Sequence, residues 1–231
     1  GTILETGTPR CDVFFHGLEE MRVWFRREYH MPDDAKILLY APTFRGGSQS
    51  KNRSVDAEFC SVDFDRLIAA LEKRFGGEWY VFLRLHPQLA AQMEHFPVYE
   101  DNRRLIDVSQ RPDASEIIAA SDACLTDYST VIFESFLCKT PGFIYADDLQ
   151  EYISDRGHLM FELEEIPFPV AGTNNELEEN ILTFDLDVYR EKTEKFIRKT
   201  GIIEDGRASK RVVDMIERLG RSGVNEIKNG C

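Results

Sequence analysis

The chain has 231 residues, 42% of them hydrophobic, so it can bury a core in one large domain or two small ones. Its 41 acidic against 28 basic residues give a formal charge of −13, which argues against a nucleic-acid groove as the main surface and supplies no polybasic membrane patch. No apolar run approaches the length of a membrane span, and no signal-peptide core is present.

Gly1 to Asp12 contains TGTPRCD, a Gly/Pro turn that reads as a linker. A helix over Glu19–Tyr29 follows, with Leu18, Met21, Trp24 and Phe25 on one stripe, so residues 1–35 read as a linker and a leading helix. Lys36–Tyr40 (KILLY) is a buried-type strand, and Gly46–Glu58 reads as a mobile loop. Phe64, Leu67, Ile68, Leu71 and Phe75 recur at helical spacing within Asp63–Phe75, and Gly76-Gly77 stops that helix. Trp79–Leu85 and Leu105–Val108 are strands, and Asp113 with Glu116 forms a capping box for a helix to Ser121. Ala123–Thr126 is a short buried strand, Ser129 opens a helix running to Pro141, and Gly142–Tyr145 is the last clear strand. A second capping box, Thr173 with Glu176, precedes helices near 174–182, 187–199 and 207–220, and Ser222–Cys231 reads as a frayed tail. Strands alternating with helices from residue 36 to 145 predict an α/β fold, a Rossmann-like parallel sheet with helices on both faces. That domain is expected over 36–220, with 221–231 as a tail.

Five widely spaced cysteines (Cys11, Cys60, Cys124, Cys138, Cys231) form no CxxC pair, so neither a zinc site nor a disulfide framework is indicated and a reducing cytoplasm fits. No His/Cys/Asp cluster has metal-ligand spacing, and neither a nucleophile elbow nor a Walker loop occurs, so no metal or other cofactor is expected.

Ligands of an open parallel sheet bind beyond the carboxyl ends of its strands. Four such ends carry polar groups: Thr43 and Arg45; Arg84 and His86; Asp107 and Ser109; Asp127, Ser129 and Thr130. Two arginines, a histidine and a helix N-terminus make an anion site. Arg84 and His86 are two apart on a strand and point to one side, which favours a functional over a turn role for His86. His16, His30, His95 and His158 lack such company and read as surface or packing residues. Thr130 and Glu134 share a helix face about 6 Å apart, the span from a nucleotide phosphate to its ribose. The plainer alternative is that Ser129 caps the helix and Glu134 is solvated, and this stretch alone slightly favours it. Asp155-Arg156-Gly157 reads equally as a salt-bridged turn or as a further phosphate-directed arginine.

The ordered set TGTPRCD, LYAPTFR, FLRLHP, SDACLTDYSTVIFE, YISDRG and EDGRASKRVVDMI resembles the CDP-glycerol glycerophosphotransferases, the teichoic-acid polymerase and primase type enzymes. The resemblance covers nearly the whole chain and implies the C-terminal, donor-binding half of a glycosyltransferase-B fold. It implies that CDP-glycerol or a related CDP-alditol binds at the strand ends, and that an acceptor hydroxyl attacks the β-phosphorus and releases CMP. The acceptor, a polymer or a lipid-linked group, would be held by an N-terminal domain absent from this sequence. By the same resemblance His86 acts on the donor phosphate, and Arg45, Arg84 and Arg156 neutralise the pyrophosphate. Ser129 and Thr130 donate from the helix terminus, Glu134 clamps the ribose, and Thr43, Asp127 and Ser109 complete the nucleotide site. The family docks on membranes, so the full-length protein is expected in the cytoplasm, peripheral at the inner face of the bacterial cell membrane. The acidic chain departs from that pattern, and the missing half is expected to carry the basic surface. A CDP-ribitol or sugar-nucleotide transferase and a non-catalytic binding module stay open beside this reading.

Overall fold

The computed structural model describes residues 4–43, 61–85 and 102–228, with side chains up to Leu219. The expected loop 46–58, Arg45 and His86 therefore lie outside the described residues. A 3-10 turn (Pro9–Phe15) leads into α1 (Leu18–Glu28), β1 (Lys36–Tyr40), α2 (Phe64–Phe75), β2 (Trp79–Leu83), β3 (Leu105–Asp107), α3 (Ala114–Ala120) and β4 (Ala123–Thr126). Then come α4 (Val131–Ser135), β5 (Gly142–Tyr145), α5 (Leu149–Arg156), β6 (Val170–Ala171), α6 (Asn174–Leu182), α7 (Leu186–Thr200) and α8 (Ala208–Lys228).

The six strands form one sheet in the order β3-β2-β1-β4-β5-β6, and every pairing is parallel. The central strands β4 and β5 are buried along their whole length, as apolar strands covered on both faces must be. Chain progress reverses between β1 and β4: β1 to β3 step one way, β4 to β6 the other. Right-handed crossovers then put α2 on one face and α3 with α4 on the other. In keeping with this, α1 packs on α3, and α2 packs on α6.

Local chemistry accounts for most boundaries. Asp63 accepts from Arg66 N–H and starts α2, and Gly76, at φ +67°, ends it. Asp113 caps α3 through Ser115 N–H at 2.8 Å, and Thr173 caps α6 through Glu176 N–H at 3.2 Å. A Cβ on Gly142 would lie 2.9 Å from both Ile132 and Phe168, so only glycine lets α4 approach β5 this closely.

Five expectations need correction. The helix foreseen from Ser129 to Pro141 is a short α4 followed by a 3-10 turn over Phe136–Cys138, because Lys139 turns left-handed (φ +60°) ahead of Pro141. The polar run after Tyr145 forms α5, which escapes sequence reading because it buries none of its residues and so lacks a clear apolar stripe. Gly142–Tyr145 is not the last strand: β6, only two residues long, closes the sheet. The expected tail from 222 is helical through Lys228. Residues 9–28 also belong to the body of the molecule, since Cys11, Phe14 and Phe25 are buried in the same core as the sheet.

Candidate functional site

The crevice where strand order reverses lies between the carboxyl ends of β1 and β4. Thr43 follows β1, Asp127 follows β4, and they meet there. Thr43 donates its N–H to both Asp127 oxygens at 2.9 Å and its hydroxyl to Oδ1 at 2.6 Å. Tyr128 N–H donates to Asp127 Oδ1 at 2.5 Å, and the Asp127 side chain is buried, with the residue only 4% exposed. Thr126 donates its hydroxyl to Ala41 O at 2.6 Å, a second tie between the same two strand ends. Beside them Ser61 donates its hydroxyl to Asp147 and accepts from the Tyr145 hydroxyl, closing the wall over β5.

The neighbouring strand ends are braced in a similar way. Ser109 Oγ accepts from Leu85 N–H at 2.9 Å, and Arg84 Nη1 donates to Arg111 O at 2.8 Å. Burial lowers the Arg84 pKa from its ordinary value. Asp107 accepts from Ser109 N–H at 2.8 Å, so the turn after β3 is fixed from both sides.

Beyond this ring stand the groups that follow β4. Ser129 Oγ accepts only a long bond, 3.4 Å, from Val131 N–H, and Thr130, the residue before α4, makes no side-chain cap. Glu134 lies one turn on and is paired with Arg10: Nε donates to Oε1 at 3.0 Å and Nη2 donates to the same oxygen at 2.5 Å. Arg10 was read only as part of a linker. No local sequence signal marks it, since its partner lies 124 residues away. Tyr128 stacks on Tyr152 of α5 at 3.9 Å, and its hydroxyl donates to Asp148 at 2.9 Å. Arg156 is four residues past Tyr152, on the same face of α5, and pairs with Asp155 at 3.3 Å. The salt bridge foreseen there exists, at the end of a helix instead of in a turn. An apolar cavity of about 310 Å³ runs from Asp127, Ser129 and Thr130 to Phe133, Phe161 and Phe196.

Among the described residues the structure thus brings Thr43, Asp127, Ser129, Thr130 and Glu134 to one end of the sheet, with α5 and Arg156 attached through the tyrosine stack. Arg84 and Ser109 sit on the adjoining strand ends. Among the described residues no group of three or more His, Cys, Asp or Glu is placed to hold a metal ion, and no helix is long and apolar enough to cross a membrane.

The family of CDP-glycerol:poly(glycerophosphate) glycerophosphotransferases matches residues 1–218. The chain belongs to this family. It is 33% identical to the teichoic acid poly(ribitol-phosphate) polymerase of Bacillus spizizenii, over 93% of this chain and 33% of that protein. It is 31% identical to the teichoic acid glycerol-phosphate transferase of Staphylococcus aureus, over 93% of this chain and 54% of that one. The solved structure of the wall teichoic acid polymerase TagF superposes with a TM-score of 0.74 at 28% identity, covering 96% of this chain and 53% of TagF. The chain therefore spans a third to about half the length of these family members. The α/β class and the glycosyltransferase-B kind of sheet agree with the TagF superposition.

Proposed function

We propose that this chain is the donor-binding part of a CDP-alditol phosphotransferase of teichoic-acid-like polymer synthesis. The observation that supports this best is the gathering of family motifs from distant parts of the sequence around one switch point, tied by the Thr43–Asp127 bonds. In the reaction an acceptor hydroxyl oxygen forms a bond to the β-phosphorus of CDP-glycerol. The bond to the bridging oxygen breaks, CMP leaves with the electron pair, and the acceptor proton passes to a base. Charge neutralisation and positioning carry such a transfer.

In this reading Arg45, Arg84 and Arg156 neutralise the pyrophosphate, His86 acts on the donor phosphate, and Ser129 and Thr130 donate to it. Glu134 accepts from the ribose hydroxyls. Thr43, Asp127 and Ser109 serve the nucleotide by holding the strand ends in register. The acceptor is held by a further part of the protein, in keeping with the length of the relatives. The whole enzyme works in the cytoplasm at the inner face of the cell membrane.

Calorimetric titration tests the donor class. CMP, CDP-glycerol and CDP-ribitol are offered beside UDP-glucose. Binding of the cytidine compounds alone is expected, and the ratio of the two CDP-alditols names the donor. Glu134→Ala should weaken CMP binding by about 1–3 kcal/mol, the value of a lost charge-assisted bond. A chain that binds no cytidine nucleotide would instead be a non-catalytic module. Transfer is the second readout. Holding an acceptor in place is worth an effective molarity of roughly 10⁵ M or more, so CMP release by this chain alone should be nearly absent and should return in the full-length protein.

A further inference from the structure

Two of the sequence motifs form one structural unit. The segment TGTPRCD docks on EDGRASK at the start of α8. Thr8 N–H donates to Glu204 Oε1 at 2.9 Å, and Asp12 accepts from Ala208 N–H and Ser209 N–H, each at 2.8 Å. Arg211 Nε donates back to Thr6 O at 2.7 Å. Gly7 takes φ +74°, and a Cβ there would sit 2.9 Å from the Glu204 carboxylate, so the turn requires glycine. On the other side Cys11 and Phe14 are buried in the core.

The product of this scaffolding is the position of a single side chain. Arg10 lies between the two anchored positions, is 65% exposed, and makes its ion pair across 124 residues of sequence with Glu134, which is 18% exposed. Both recorded N–H groups of Arg10 go to Oε1. The pair engages Oε1 and fixes the carboxylate through that oxygen. It also removes a repulsion. Glu134 is about 6 Å, one helical turn, from Thr130, where a donor phosphate is expected, and an uncompensated carboxylate there would oppose a pyrophosphate.

We propose that Arg10 is a positioning residue of the nucleotide site, which fixes and neutralises Glu134 so that one carboxylate oxygen can accept from a ribose diol beside a pyrophosphate. The assignment rests on the donor reading above, and the ligand class is a ribonucleoside diphosphate. It also gives the α8 motif a role: the start of α8 holds the segment that aims Arg10.

The test compares CMP with 2′-deoxy-CMP by titration into wild type, Arg10→Gln, Arg10→Lys, Glu134→Gln and the Arg10→Gln/Glu134→Gln double variant. Arg10→Gln should weaken CMP about tenfold and bring the ribo-to-deoxy ratio close to one. Arg10→Lys keeps the charge without the two-donor geometry, so it should recover only part of the CMP affinity and only part of the ratio. Glu134→Gln should lose the same discrimination, and the double variant should lose nothing further. Wild-type discrimination in Arg10→Gln, or additive losses in the double variant, would overturn the role of Arg10 alone. A wild-type chain that binds neither nucleotide would overturn the donor reading and this assignment together. Thermal unfolding of each variant separates these outcomes from misfolding, and an exposed Arg10 leaves the core untouched.

Discussion

Two rings of polar residues surround the switch point, and they differ in what they face. The inner ring, Thr43, Asp127 and Ser109, is turned on the protein's own backbone: Asp127 is 4% exposed and Ser109 is 9% exposed. The outer pair, Arg10 and Glu134, is joined side chain to side chain and open to solvent on the Arg10 side. The inner ring comes from short polar stretches after apolar strands, whereas Arg10 precedes every strand and Glu134 sits within α4. Their environments separate them. A buried acceptor surrounded by backbone N–H groups builds the crevice, whereas an exposed charge pair is placed to meet a ligand. Substitutions in the inner ring should therefore act on folding, and those in the outer pair on binding.

The largest effect is expected at Asp127. Asp127→Ala leaves Thr43 N–H, its hydroxyl and Tyr128 N–H without their acceptor at the strand ends. Leaving buried donors unsatisfied costs about 1–3 kcal/mol each, with overlap between neighbours, so a loss of about 3–5 kcal/mol is expected. Urea unfolding followed by far-UV circular dichroism measures it. Asp127→Asn keeps one carbonyl acceptor and should lose about half as much. A folded Asp127→Ala chain of wild-type stability that no longer binds CMP would reverse the division between the rings.

Much of this was legible in the sequence where local and global signals agree. KILLY, ACLT and GFIY were found at their observed boundaries because short β-branched and aromatic runs between turn residues have few other uses. The helix 174–182 was found because Thr173 writes its N-cap in the sequence. What stayed hidden depends on distant partners. Arg10 gains its role from Glu134 and from α8, and no local pattern joins residues 10, 134 and 208. The helix α5 stayed hidden because it buries none of its residues and so lacks an apolar stripe. Glu134 was correctly placed one turn past Thr130 but not seen to be paired, since pairing is a tertiary fact.

Ser109 gives a smaller test of the inner ring. Its hydroxyl accepts from Leu85 N–H and is 3.4 Å from Leu83 O, both on the adjoining strand end. Ser109→Ala removes the acceptor of a buried N–H, a loss of about 1–2 kcal/mol. CMP affinity should stay within about twofold of wild type if Ser109 works through the backbone. A variant of unchanged stability whose CMP affinity falls tenfold would move Ser109 into direct contact with the nucleotide.

The smallest effect concerns the scaffold that carries the outer pair. Burial raises the Asp12 pKa, but the N–H groups of Ser209 and Ala208 and the nearby Arg211 outweigh it and hold the carboxyl below the ordinary carboxylate range. A folded-state value below the unfolded one means that Asp12 contributes stability above the unfolded pKa of about 3.9 and loses that contribution as pH falls through the depressed value. Acid should therefore release the start of α8 from the TGTPRCD segment. Asp12→Asn keeps an acceptor but loses the charge at the helix N-terminus, and about 0.5–1 kcal/mol is expected at neutral pH. Hydrogen exchange of the Ala208 and Ser209 amides reads this dock directly. In wild type their protection should hold at pH 6 and fall as the pH is lowered below about 4. In Asp12→Asn it should be weaker at pH 6 and respond less to acid. Equal acid sensitivity in the two proteins would show that another carboxylate, Glu204 or Asp205, governs the dock, and Arg10 would then be aimed from the Glu204 side of the turn.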